Sequence, residues 1–113
     1  MDKRIDSNIS RGSAELAILA LLNERPLYGF EIAKHIEERT AGALRFTMAS
    51  LYPMLYELEQ RGSVKARWET NPGGRDRRYY SLTAAGKKEL VPLRREWKRF
   101  FHALDGLAGL NHA

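Results

Sequence analysis

A mainly α-helical fold carrying a two-stranded wing is predicted by three observations on the 113-residue sequence. The hydrophobic period is helical as far as Gly62, switches to alternation at Val64, Ala66 and Trp68, and becomes helical again from Leu90. Turn signals at Pro26–Gly29, Ala41–Gly42, Gly62 and Asn71–Gly74 cut the chain into segments of helix or strand length. The second and third helical segments are joined by a brief link, and the third opens on polar residues, which is the helix-turn-helix arrangement. The order helix, helix, helix, wing, long helix is a winged helix-turn-helix with a C-terminal dimerisation helix. We divide the chain into a flexible N-terminal arm (1–9), a winged helix-turn-helix domain (10–83), and a dimerisation helix with its tail (84–113).

A chain of this length holds one domain with one core, and is short for an enzyme with a deep cleft. It has no Cys, which excludes a disulfide scaffold and a Cys-based zinc site and fits a reducing cytoplasm. The longest apolar run, Leu16–Leu22, is seven residues, far too short to span a bilayer, and no signal peptide is read at the N-terminus. Residues 1–63 carry eight Lys/Arg against nine Asp/Glu, or −1, whereas residues 64–113 carry eleven against five, or +6. Positive charge localised in this way favours a polyanionic partner, nucleic acid before membrane; a merely basic soluble protein is the alternative.

Taken in order, Lys3 and Arg4 lie in the arm, and Ser10 or Ser13 caps the first helix, which runs to Leu22 or Asn23. Its Ala, Leu and Ile residues go almost all the way round, so it is the central buried helix. Pro26 pushes Arg25 out of helical geometry, and Gly29 permits a tight entry into the second helix, Phe30–Arg39, which buries Ile32 and Ile36. Its His35 has no second ligand at metal spacing. The third helix buries Leu51, Leu55 and Leu58 and ends at Gly62, a left-handed capping position. Two starts are open. With Thr47 as cap, Pro53 falls past the first turn and removes the bond to Ala49; with Ser50 as cap, Pro53 sits where its N–H is unpaired anyway.

Val64, Ala66 and Trp68 then alternate with Lys65, Arg67 and Glu69 as a half-buried strand, and Arg75–Leu82 returns with Tyr80 and Leu82 on one face. Arg75, Arg77 and Arg78 beside two Gly and two Tyr are denser than solubility needs. Forked guanidinium donors suit phosphates and guanine edges. Thr83 caps the last helix. There Leu90, Leu93, Trp97, Phe100, Leu104 and Leu107 follow steps of 3, 4, 3, 4, 3, a heptad seam that Phe101 and Ala108 widen. Part of that seam packs on the first helix and the surplus implies a two-fold dimer. Pro92 is expected to kink this helix near 88–92, and Gly106 and Gly109 to weaken its end.

At this point the chain resembles the PadR-type bacterial transcriptional regulators. The resemblance rests on Leu27-Tyr28-Gly29-Phe30-Glu31-Ile32, on Ser50-Leu51-Tyr52-Pro53 with Leu58-Glu59-Gln60-Arg61-Gly62, on Trp68, and on Gly74-Arg75-Asp76-Arg77-Arg78-Tyr79-Tyr80-Ser81-Leu82-Thr83-Ala84-Ala85-Gly86. It covers roughly residues 10–100 and is similar to the shorter members with one C-terminal helix. It implies a dimeric DNA-binding repressor on a short inverted repeat, released by a small effector, with a proline in the recognition helix at Pro53. In some such proteins a tryptophan of the last helix lines a dimer pore for flat aromatic compounds; Trp97 occupies the matching place, with Phe101 beside it. From the residues alone, plain dimer packing is the favoured role for Trp97.

The candidate DNA contacts are therefore Thr47, Met48, Ser50 and Tyr52 in the recognition helix and Arg75, Arg77 and Arg78 in the wing. The candidate dimer interface is Leu90, Leu93, Trp97, Phe100, Phe101, Leu104 and Leu107. Expected partners are operator DNA, a second copy of the chain, and an aromatic effector at Trp97 and Phe101. No cofactor and no metal are expected. A winged-helix module for protein contacts is the competing reading, which the basic wing disfavours. An enzyme is disfavoured because no Cys nucleophile, phosphate loop or metal spacing is found, and His35, His102 and His112 lie far apart.

Overall fold

A computed structural model describes residues 7–110, with side chains from Gly12 onward. The order is α1 (Ser7–Glu24), β1 (Leu27–Tyr28), α2 (Gly29–Arg39), α3 (Met48–Gln60), β2 (Val64–Glu69), β3 (Arg77–Leu82) and α4 (Ala84–Ala108). Helix α1 starts at Ser7, ahead of both Ser10 and Ser13, so residues 7–9 of the expected arm are helical; Lys3 and Arg4 lie outside the described residues. Ala14, Ile18, Leu19, Leu21 and Leu22 of α1 are buried and packed by α2, β3 and α4, which makes it the central helix.

The wing is one strand larger than the sequence indicates. Leu27 and Tyr28 pair antiparallel with Tyr80 and Tyr79, giving a three-stranded sheet of order β1-β3-β2. A two-residue strand has no period of its own, and what holds it is tertiary: the Tyr28 and Tyr79 rings meet edge-on at 5.4 Å. The main hairpin pairs Val64 with Leu82 through Glu69 with Arg77, so β3 begins at Arg77 and leaves Arg75 and Asp76 in the turn. Val64 and Tyr80 reach the core. Trp68, on the same side of β2 as Val64, is 66% exposed, because the hairpin has run past the body of the domain by that point.

Helix α2 begins at Gly29 after Tyr28, whose backbone N–H donates to the Glu31 carboxylate at 3.2 Å. Gly29 lies against the Tyr52 ring: a Cβ there would sit 3.2 Å from its Cε1 and hydroxyl. The glycine is thus needed for close approach of α3 rather than for a tight turn. Thr47 caps α3, its Oγ1 accepting from the Ser50 N–H at 3.1 Å, which decides between the two possible starts. Pro53 therefore lies inside the helix, which continues past it. At the other end Gly62 has φ +82, with its N–H on the Glu59 carbonyl and the Ser63 N–H on the Leu58 carbonyl. This is a Schellman cap.

Thr83 caps α4 by accepting from the Gly86 N–H at 3.0 Å, and its hydroxyl contacts the Gly62 and Ser63 carbonyls at 2.6 and 3.0 Å. Gly86 is buried here, and a Cβ on it would fall 2.2 Å from the Ser63 carbonyl oxygen. The Leu-Thr-x-x-Gly signature is thus a packing joint between α4 and the end of the recognition helix. Helix α4 continues through Pro92 as one element to a left-handed Gly109 cap, so Pro92 does not end it. Leu90, which the sequence places in the dimer seam, packs in the chain's own core: it is 2% exposed and clusters with Ile18, Leu55 and Val64. Leu93 packs at the edge of that core. Beyond it α4 leaves the body, and Phe100, Phe101 and Leu107 are exposed.

Candidate nucleic-acid interface

The start of α3 projects a small set of hydroxyl groups. Thr47 and Ser50 are both exposed and are engaged with each other: Thr47 Oγ1 accepts from the Ser50 N–H and donates to the Ser50 Oγ at 3.1 Å. A hydroxyl carries one donor and two acceptor sites, so the Ser50 hydroxyl keeps its own proton for an outside acceptor. Met48 is partly buried against the core and borders an open groove with Phe30, Lys34, Arg45 and Phe46. Tyr52 is half exposed with its ring edge on Gly29, and Tyr56, one turn on, is more exposed still.

The wing arginines divide between two faces, as strand alternation requires. Arg75 is exposed at the tip, where the Asn71 side-chain amide donates to its carbonyl at 2.9 Å. Arg77 stacks its guanidinium 4.6 Å from the centre of the Tyr28 ring and remains exposed. Arg78 points the other way. One of its terminal nitrogens donates to both oxygens of Glu59, at 3.0 and 2.8 Å, and its guanidinium lies 5.6 Å from the Tyr80 ring centre. Expected from the sequence among the contact cations, Arg78 borders the groove between α3 and the wing and at the same time ties the two together through Glu59. Burial pushes the Tyr80 phenol above its ordinary value, with the Arg78 charge pulling the other way.

Between α3 and the wing runs a groove of about 780 Å³, bordered by Tyr28, Phe30, Tyr52, Trp68, Arg75, Arg77 and Arg78 among others. Phe30 and Trp68, 59% and 66% exposed, are large apolar side chains here that the sequence does not place among the contacts. Trp68 alternates in step with inward residues, and Phe30 reads as the first turn of an ordinary helix.

Residues 18–91 match the profile of the PadR-like family of transcriptional regulators. That span takes in α2, the recognition helix and the whole wing. The chain belongs to this family. It is accordingly a DNA-binding transcription regulator with a winged-helix fold, in a family of regulators rather than enzymes. The regulator is 33% identical over 101 residues to an uncharacterised protein of Lysinibacillus sphaericus, covering 89% of this chain and 93% of that one. Among solved structures, it resembles a transcriptional regulator from Clostridium thermocellum (29% identity, TM-score 0.83, 92% and 98% of the two chains). It also resembles a PadR family transcription regulator from Clostridium difficile (28% identity, TM-score 0.75, 85% and 98%).

One further feature of the regulator connects the end of α3 to α4. At the end of α3, Arg61 bridges Glu15 of α1, at 2.5 Å, and Glu89 of α4, and its Nε donates to the buried Ser63 hydroxyl at 3.2 Å. Ser63 in turn donates to Glu89 at 2.5 Å. Burial pushes the Glu89 carboxyl up, but the Ser63 hydroxyl, the adjoining Glu15 carboxyl and the Arg61 charge outweigh it and hold Glu89 below its ordinary 4.5. Arg61 is raised: burial opposes its charge, and its pairing with Glu15 and the charges of Glu89 and Glu57 prevail. Nothing in the spacing of positions 15, 61 and 89 marks this joint in the sequence.

Further along α4, Trp97, Phe100 and Phe101 form one aromatic cluster, Trp97 lying 5.7 Å from each of the two phenyl rings. Leu93, Glu96, Trp97 and Phe100 border a hollow of about 240 Å³. Among the described residues no group of three or more His, Cys, Asp or Glu side chains could hold a metal, and no helix is long and apolar enough to cross a membrane. His35 is next to the Arg25 guanidinium, its Nε2 at 3.0 Å.

Proposed function

We propose that the regulator is a cytoplasmic homodimeric repressor. Each subunit sets the start of α3 in a major groove of a palindromic operator, with Thr47, Met48, Ser50 and Tyr52 toward base edges and phosphates. Arg75, Arg77 and Arg78 contact the flanking backbone. The observation that carries this reading is the aromatic end of α4: Phe100, Phe101 and Leu107 are exposed on a helix whose first turns are anchored in the subunit core. An apolar seam that leaves its own domain needs a partner. A second copy on the two-fold axis supplies one and fixes the separation of two recognition helices at about one turn of duplex. A flat aromatic effector enters between the Trp97 and Phe101 rings of the two copies, shifts the relative tilt of the α4 helices, and so releases the operator. The Arg61 joint supports that coupling, because it ties α4 directly to the end of the recognition helix.

The test is a gel shift on DNA from upstream of the regulator's own coding sequence, against a scrambled duplex, with light scattering on the same sample. A dimer that prefers the upstream duplex, and whose affinity falls steeply with salt, is expected. Equal binding to both duplexes, or a monomer that binds as tightly as the reading requires of a dimer, overturns it. Arg77→Ala is expected to reduce the salt slope by about 0.9 per subunit contact.

A further inference from the structure

We propose that Trp68 and Phe30 are DNA contacts: their rings pack on the deoxyribose faces and thymine methyls of one strand while neighbouring cations hold its phosphates. This rests on the DNA-binding reading above and adds an apolar contact that neither the recognition helix nor the wing tip supplies. Trp68 on β2 and Phe30 on α2 come from different elements, yet both border the groove between the recognition helix and the wing. Both are more than half exposed. Two large apolar side chains held open on a rigid sheet and helix mark an interaction surface rather than a solvated face.

The charge around the rings names the partner. Phe30 also borders the adjoining groove, beside Lys34, Arg45 and the start of α3, so cations stand on both sides of the ring pair. On the far side are Arg75, Arg77, which is fixed over Tyr28, and Arg78, the cross-strand neighbour of Trp68. The acids nearby are Glu37, paired to Arg45 at 2.6 Å, Glu59, paired to Arg78 at 2.8 Å, and Asp76 at the wing tip. A surface of aromatic rings flanked by cations and continuous with the helix presented to the major groove is complementary to a nucleic-acid strand. Within such a polyanion, sugar rings and thymine methyls are the apolar parts that a phenyl or indole can cover.

The experiment is fluorescence anisotropy with a labelled duplex from the upstream region, on the full chain, across a salt series. Trp68→Ala and Phe30→Ala are each expected to weaken binding about tenfold, the scale of one lost base-edge or methyl contact. Neither should change the slope of affinity with salt, whereas Arg77→Ala should, because only the arginine releases counterions. Trp68→Phe should recover most of the loss. In a parallel measurement, the duplex should protect wild-type emission from acrylamide, and that protection should vanish in Trp68→Phe. Unchanged affinity in both alanine variants, a changed salt slope, or an altered oligomeric state by light scattering overturns the proposal and leaves the DNA-binding reading standing. Failure of the wild type to prefer the upstream duplex overturns that reading instead.

Discussion

Gly86 illustrates how much one residue carries in this regulator. Its hydrogen occupies a place from which a methyl group would meet the Ser63 carbonyl oxygen at 2.2 Å and Leu82 Cδ1 at 2.6 Å. The carbonyl cannot retreat easily, since the Thr83 N–H and hydroxyl are both bonded to it. Gly86→Ala is therefore expected to destabilise by about 1–3 kcal/mol, as overpacking does, measured as a lower urea midpoint with an unchanged slope. An unaffected midpoint would mean that α4 can slide away from the joint. Arg77 and Arg78 make the complementary point. They are adjacent, identical in chemistry and both at the groove, but strand alternation sets one over the Tyr28 ring and ties the other to Glu59. Composition counts them together; only their faces separate them.

At the scale of elements, α3 is held at both ends by devices that the sequence half reveals. Gly62 is recognisable as a cap, and its φ of +82 agrees. Thr47 and Ser50 are both acceptable caps by residue type, and the choice of Thr47 depends on how Leu51, Leu55 and Leu58 seat in the core. The joint at Arg61 links α1, α3 and α4, and it gives a pH prediction. Glu89 is held below its ordinary 4.5, so its stabilising contribution is complete above that value and is lost as pH falls through the lower folded value. Glu89→Gln is therefore expected to be less stable than wild type at neutral pH by about 0.5–1 kcal/mol, a figure kept small because the carboxyl is about a third exposed. The gap should close below pH 4.5, and urea unfolding from pH 7 to 3 reads it. A gap that widens in acid would contradict the assignment.

For the whole molecule, the decisive asymmetry lies along α4. Twenty-five residues of helix are about 37 Å long, while the body that buries Leu90 and packs on Leu93 covers only the first part. Phe100→Glu with Phe101→Glu is expected to give a folded monomer with weakened operator binding, by light scattering and anisotropy. The core residues and the Arg61 joint are untouched, so helix content per chain should stay near wild type. A persistent dimer would place the interface elsewhere.

Three helices, a basic hairpin and a long last helix are written into the sequence because each has a period, and a period survives without knowledge of neighbours. The same holds for the caps at Gly62 and Thr83, where local backbone geometry alone selects the residue type. Strand β1, the approach of Gly29 to Tyr52, the pairing of Arg78 with Glu59 and the burial of Leu90 were decided by the tertiary structure. So was the exposure of Trp68, which alternates correctly but stands where the hairpin has outrun its core. Each depends on which element lies opposite, and a chain read along its length does not say how far its elements extend past one another.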